Sequence, residues 1–257
     1  MTRTAIFITG AWMHNSSWDK FRSAFEAAGY ATSAPSWPYL DGSPNALRTH
    51  PDRRLGSLTL QQIVAHYQTL IGNLAEPPLI VGHSFGGLIT QLLLDRGAGV
   101  AGIALDPAPI AGVIPGPVPL LAALGPILAG PSAVFTISRA AFGSTFANTV
   151  PALEQVQVYD DFVVPTSSRV FYQAAFMAGT KVEAANRRQP LLITVGEKDR
   201  TVTPALAQAA YKIQKRSSAR TDFRQFDGRS HFLCGEKGWE DVAAFAIDWA
   251  RQAGVGV

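Results

Sequence analysis

One stretch constrains this chain more than any other: Leu79-Ile80-Val81-Gly82-His83-Ser84-Phe85-Gly86-Gly87. Three apolar residues run into Gly-x-Ser-x-Gly, and an amphipathic run, residues 88–96, follows at once. The pattern reads as buried strand, sharp turn and helix, with Ser84 at the apex. A serine there must adopt a strained backbone to lift its hydroxyl off the strand end. Side chains in place of Gly82 and Gly86 would collide with the neighbouring strand and helix. A helix beginning at Phe85 aims its free N–H groups at the same point, where they stabilise negative charge. By pattern, the stretch is a candidate nucleophile elbow.

The flanking chain alternates between strand and helix signals. Residues 5–9 read as a short buried strand and residues 10–14 as a loop. A helix capped at Ser16 or Ser17 should run to about Ala28, with Trp18, Phe21 and Phe25 on its inner face and Gly29 as its stop. A strand over 30–34 and a long polar loop over 37–57 come next. A helix over 60–74 then precedes the Pro77-Pro78 break. After the elbow, apolar residues 100–105 end at Asp106-Pro107. The alternation resumes with a strand at 190–195, a helix at 204–215, a strand at 221–226 and a helix at 240–251. This regularity predicts an α/β fold with a mostly parallel central sheet and helices on both faces. The interruption is read as an inserted helical cap over residues 107–186, with the core formed by residues 1–106 and 187–257. Its first part, 107–131, is loaded with Pro, Gly, Ala and Leu. Its second part holds candidate helices near 138–146, 151–161 and 167–177.

A serine hydroxyl is a weak nucleophile and needs a histidine base, which in turn needs an acid to fix its tautomer. In a parallel sheet the loops at the C-terminal strand ends converge on one edge, so the partners should follow later strands. His231, just after the last strand, fits the base. Among the other histidines, His83 reads as packed, because the elbow turns it away from the hydroxyl, and His50 and His66 read as solvated. Asp199 follows a strand and completes the order Ser84, Asp199, His231 expected of such an architecture. Asp106 is a rival acid, since it too ends a strand on that edge, and Glu197 and Asp227 are lesser candidates. Donors for a developing oxyanion are expected from the N–H of Phe85 and from that of Ala11, with Trp12 the alternative to Ala11. Trp12 and His14 are candidate pocket-lining residues.

Composition removes several other functions. The net charge is +3 over 257 residues, and the basic residues are scattered apart from pairs such as Arg53-Arg54 and Arg187-Arg188. No basic stripe interleaved with aromatics argues for a nucleic-acid partner. Cys234 is the only cysteine, so no internal disulfide can form. There is no His-Glu-x-x-His, cysteine pair, P-loop or Gly-x-Gly-x-x-Gly turn, so neither metal nor cofactor is expected. The start of the chain carries no signal-like apolar core, and the apolar run over 113–129 is broken by Pro115, Pro117, Pro119 and Pro126. The expectation is a cytoplasmic monomer or homodimer without a membrane span, acting on a small molecule.

These motifs together resemble the α/β-hydrolase superfamily across nearly the whole chain. The resemblance rests on Gly82-His83-Ser84-Phe85-Gly86, on Gly196-x-x-Asp199-x-x-Val202 and on Ser230-His231-Phe232. The opening Thr9-Gly10-Ala11-Trp12, continuing to Trp18, resembles the oxyanion loop shared by plant hydroxynitrile lyases and their esterase relatives. Thr9 stands where that loop usually has histidine. The resemblance implies Ser84 as nucleophile, His231 as base, Asp199 as acid and Ala11 and Phe85 as oxyanion donors. It also implies a sheet of about six strands, because the first strand leads straight to the oxyanion loop and leaves no room for the family's N-terminal hairpin. The implied activity is serine-dependent hydrolysis of a carboxylic ester or lactone. Leu120, Leu121, Leu124, Ile127 and Leu128, with Phe135, Phe142 and Phe146, point to an apolar or aromatic substrate unless they form the core of the cap. Two competitors stand beside this reading. One is a lyase or carbon–carbon bond hydrolase on the same scaffold, for which a lysine over the pocket, Lys237 being the nearest to His231 in sequence, would be a sign. The other is a ligand-binding protein with little turnover.

Overall fold

The computed structural model describes residues 3–256; Met1, Thr2 and Val257, at the ends of the expected core, lie outside them. The first half runs β1 (Thr4–Ile8), α1 (Asp19–Ala27), β2 (Ala31–Ser33), α2 (Pro44–Thr49), α3 (Leu60–Gly72), β3 (Leu79–His83), α4 (Phe85–Asp95) and β4 (Ala101–Leu105). The last part runs β7 (Leu191–Gly196), α9 (Pro204–Gln214), β8 (Thr221–Phe226) and α10 (Trp239–Gln252). Between them lie α5 (Pro117–Ala129), β5 (Val134–Phe135), α6 (Arg139–Ala141), α7 (Ala152–Phe162), β6 (Thr166–Ser167) and α8 (Ser168–Ala175).

The six core strands form one sheet in the order β2-β1-β3-β4-β7-β8, every pair parallel. Successive side chains of a strand face opposite ways, and here both faces are apolar. Ile6, Ile8, Ile80 and Ile193 pack with Leu88, Leu92, Val64 and Leu206 of α3, α4 and α9. On the other face Phe7, Val81 and Ile103 pack with Trp18, Phe21, Phe25, Val242 and Ala246, which belong to the α1 and α10 side. The expected inward face of the first helix is therefore observed, with Phe21 and Phe25 fully buried. Among the described residues no helix is long and apolar enough to cross a membrane.

Two stretches are more ordered than their composition implies. The polar segment 37–57 contains α2 and a 3₁₀ turn, Arg53–Ser57. Ser43 caps α2 by accepting the Ala46 N–H, and Pro44 opens the helix where its missing N–H has no acceptor to lose. The proline-rich segment after β4 contains the thirteen-residue α5. Pro117 and Pro119 fall in its first turn, where N–H groups have no intrahelical acceptor, so only Pro126 interrupts the ladder. The helix expected over 138–146 is α6 continued by a π turn, Phe142–Phe146.

Candidate active site

The ends of β1, β3, β4, β7 and β8 meet at one edge of the sheet, and the elbow lies at its centre. Ser84 has φ 56° and ψ −120°, and its N–H donates to the Leu105 carbonyl at 2.9 Å. Such a backbone costs a non-glycine residue on the order of 1–3 kcal/mol and persists only where the surroundings over-determine it. The surroundings here are tight. A β-carbon at Gly82 would lie 2.1 Å from the Gly86 carbonyl oxygen, and one at Gly86 would lie 2.0 Å from that of Ile8. Gly10 is equally constrained, because a β-carbon there would stand 2.5 Å from Cβ of Ser84. Ala11 and Phe85 line the same cavity as Ser84, and neither N–H donates to a protein acceptor among the described residues.

His231 and Asp199 come together as a buried pair, with Nδ1 of His231 2.6 Å from Oδ2 of Asp199. The other oxygen of Asp199 accepts the N–H groups of Thr201 and Val202 at 2.7 and 2.8 Å. Backbone donors of this kind stabilise the carboxylate form, so Asp199 is equipped to hold the charge. Nδ1 of His231 is then the protonated nitrogen, and its Nε2 is buried without a hydrogen-bond partner. The ring stands edge-on to Phe146, 4.7 Å between centroids.

His83, read as a packed residue, has a defined task. It is buried, and its Nε2 donates to the carbonyl of His231 at 2.7 Å, tying the elbow strand to the histidine loop. Burial, and then the neighbouring His231, holds its pKa well below the ordinary imidazole value, so it stays neutral. The histidine loop is also held by Glu236, a residue outside the sequence motifs. Its buried carboxylate accepts the Ser230 N–H at 2.8 Å and the Ser230 hydroxyl at 3.1 Å, and it also accepts the Thr149 hydroxyl. The only hint in sequence is a carboxylate placed five residues after His231.

The rival acids separate clearly. Asp106 ends β4 fully buried, but its Oδ1 accepts the Gly196 N–H at 2.7 Å and it makes no hydrogen bond to His231. Glu197 accepts the Gly228 N–H and pairs with Lys198, and Asp227 is exposed. His83, Asp106 and His231 bring three potential metal ligands within 4.8 Å of one another. One nitrogen of each imidazole is committed, to the His231 carbonyl and to Asp199, while Nε2 of His231 and Oδ2 of Asp106 are left without partners.

Trp12 lines the cavity, at φ 67°, and lies against Phe171 with 4.8 Å between ring centroids. His14, expected beside it, does not line the cavity. Its Nδ1 meets the Ser16 hydroxyl at 2.7 Å and its Nε2 the Gly42 carbonyl at 3.0 Å, because it caps the 3₁₀ turn that precedes α1. Thr9, in the usual histidine position, offers its carbonyl to the Trp37 indole at 3.1 Å. Above Ser84 the wall is formed by Pro119, Leu120, Ala123 and Ile127 of α5, with Phe171 of α8 and Leu206 of α9. Among the described residues no charged side chain lines this cavity, and Lys237 is exposed elsewhere on the surface.

No curated protein sequence matches this chain. In structure it is similar to a monoacylglycerol lipase from Paleococcus ferrophilus, with a TM-score of 0.71 and 17% identity over 98% of this chain and 96% of that one. It is similar to a methylesterase from Arabidopsis, with a TM-score of 0.72 and 13% identity over 97% of this chain and 99% of that one. Polyneuridine aldehyde esterase gives a TM-score of 0.68 and 12% identity, covering 97% of this chain and all of that one, 100%. These likenesses establish the fold. A sequence model described as the alpha/beta hydrolase family matches residues 5–245, which run from the first strand into the last helix, and the chain belongs to that family.

Proposed function

We propose that the protein is a serine hydrolase that cleaves a carboxylic ester or lactone with an apolar or aromatic acyl group. One observation carries the reading: a buried His231–Asp199 pair, 2.6 Å apart, leaves Nε2 of His231 free on the sheet edge that holds a strained Ser84. Nε2 of His231 takes the proton of Ser84 as its oxygen attacks the acyl carbon, and Asp199 steadies the imidazolium. The N–H groups of Ala11 and Phe85 receive the oxyanion. Collapse expels the alcohol, which takes the proton back from His231, and a water activated in the same way releases the acid from Ser84. Preorganised donors of this type typically contribute about 3 kcal/mol each to the transition state.

The uncharged cavity supports an apolar acyl group, since a charged one would lose its hydration there without a partner. The insertion, residues 107–186, acts as the cap that supplies most of the cavity wall. The names of the structural relatives, a lipase, a methylesterase and an esterase, agree with acyl-ester chemistry. The absence of a lysine from the cavity lining weighs against the cyanohydrin alternative.

The test is fluorophosphonate labelling of wild type and Ser84→Ala, followed by a p-nitrophenyl ester series from acetate upward. Labelling confined to wild type, with kcat/KM rising along the aliphatic series, is the expected result. Equal labelling of Ser84→Ala would remove Ser84 as nucleophile. A preference for charged acyl groups would remove the apolar substrate class.

A further inference from the structure

Asp106 lost the contest for His231, yet nothing about its position resembles a residue left over. It is fully buried, and it has φ 45°, a left-handed conformation that side chains other than glycine avoid. Its carboxyl is closed off from solvent. Oδ1 receives the Gly196 N–H, which comes from the end of the strand leading to Asp199. Oδ2 is sealed and has no hydrogen-bond partner. A carboxyl oxygen of Asp106 lies within 4.8 Å of a ring nitrogen of both His83 and His231. The groups facing it are Asp199, Glu236, His83, His231 and the Cys234 thiol, so two carboxylates and no permanent cation surround it.

Two adjacent buried carboxyls cannot both be charged at reasonable cost, and the proton settles on the one with fewer donors. Asp199 has three donors: Thr201, Val202 and His231. Asp106 has one. We propose that Asp106 is a positioning residue held as a neutral carboxylic acid, whose Oδ2 proton is directed at the Asp199 carboxylate, and that it is the stand-in acid for His231 when Asp199 cannot ionise. Burial, and then the charge of Asp199, raises its pKa well above the carboxylate range, in keeping with that state. The proton does not leave Asp106 in the turnover cycle. It holds the Asp199 carboxylate in orientation and spreads its charge while His231 gains and loses its own proton. An ionised Asp106 with an unpaired Oδ2 would be far more costly than the neutral acid.

The kinetic part rests on the serine-hydrolase reading, and the spectroscopic part does not. In infrared difference spectra near pH ~8, where exposed carboxyls are ionised, wild type is expected to show a carboxylic-acid C=O band that vanishes in Asp106→Asn. No such band, or one that persists in Asp106→Asn, overturns the neutral acid. In kinetics, Asp106→Ala is expected to lower kcat about 30-fold with KM little changed, and Asp106→Asn, which keeps a donor to Asp199, to recover to within about threefold of wild type. Asp199→Asn should retain roughly a hundredth of wild-type kcat, because Asp106 then ionises and pairs with His231. Adding Asp106→Asn should take the loss to about 10⁴-fold, the value for an imidazole with no carboxylate. Equal kcat for Asp199→Asn and the double variant overturns the stand-in role. Should Ser84→Ala prove as active as wild type, the hydrolase reading fails and the infrared band alone decides the state of Asp106.

Discussion

Two helices face each other across the cavity, and they are built on opposite plans. Helix α4 carries Ser84 at its head and buries every residue from Phe85 to Leu94. Helix α5 closes the cavity from above and buries only Pro119 and Pro126 of its thirteen residues, while Leu121 and Leu128 are 69% and 76% exposed. No charged residue occurs from Pro107 to Ser138, so α5 is an apolar helix held by few fixed bonds. One of those is the Tyr172 hydroxyl donating to the Ile127 carbonyl at 2.5 Å. The contrast teaches where each requirement is met. Bond chemistry tolerates little displacement, and its residues are pinned by backbone contacts under 3 Å and by glycines with no room for a methyl. Shape recognition tolerates variation, and the helix that lines the cavity from above is loosely packed.

The contrast can be broken or sharpened by substitution. The largest effect belongs to Ser84→Ala, expected to lower kcat by about 10⁴-fold or more with the fold intact by circular dichroism. Wild-type turnover in that variant would mean that the elbow is scaffolding only. Gly86→Ala should follow, because its β-carbon meets the Ile8 carbonyl, a backbone atom that cannot swing aside. A destabilisation of at least about 3 kcal/mol in urea is expected, and a loss below about 1 kcal/mol would show the elbow to be far more pliable than its contacts imply.

The third effect concerns pH. A native pKa raised above the unfolded value means that folded Asp106 keeps a proton that the unfolded chain releases above about pH 4. The native state then binds more protons, so stability falls as pH rises through that window, by up to about 1.4 kcal/mol per pH unit, until the native pKa is reached. Asp106→Asn removes this loss, so its stability relative to wild type should climb from pH ~4 toward ~8. A gap that stays flat in urea titrations across that range would place Asp106 in its ordinary ionised state. Next comes the upper wall. Ala123→Trp should fill the cavity, raising KM for a hexanoate ester about tenfold and leaving acetate nearly unchanged. A uniform fall in kcat for both esters would show that α5 shapes the chemistry and not the choice of substrate. The smallest effect is Tyr172→Phe, which removes one hydrogen bond to α5 and should cost about 1 kcal/mol or less, with no change in acetate kcat.

The core of the fold was legible in the sequence because it follows simple periodicities. Apolar runs ending in Gly or Asp marked β1, β3, β4 and β7, and Ser84, Asp199 and His231 each follow a strand of the one parallel sheet. The two unforeseen helices were hidden by prolines and polar residues whose effect depends on position. Pro44 and Pro117 open helices, whereas the same residue further in would break them. His14 was open to two readings, because a histidine next to an oxyanion loop can as readily cap a turn as face a pocket, and in the structure it caps the turn before α1. Glu236 escaped notice because its role depends on Thr149 and Ser230, one of them far away in the chain. Sequence favoured Asp199 over Asp106 only by the order of residues along the chain, since both follow strands on the same edge. Hydrogen-bond donors from Thr201 and Val202, set by local loop shape, make the difference.

Strands β4 and β7 lie side by side, with Leu105 opposite Thr194, although residues 106–190 lie between them in the chain. The entropy lost in closing such a long excursion grows only with the logarithm of its length, so doubling it costs roughly 0.6 kcal/mol. The sheet therefore bears almost no penalty for the size or content of what is looped out at that seam. A descendant of this chain could exchange its upper wall wholesale, lengthening, shortening or replacing it, and retain the pairing that aligns the elbow. Divergence in substrate is in this sense nearly free of the constraint that keeps the reacting groups in place.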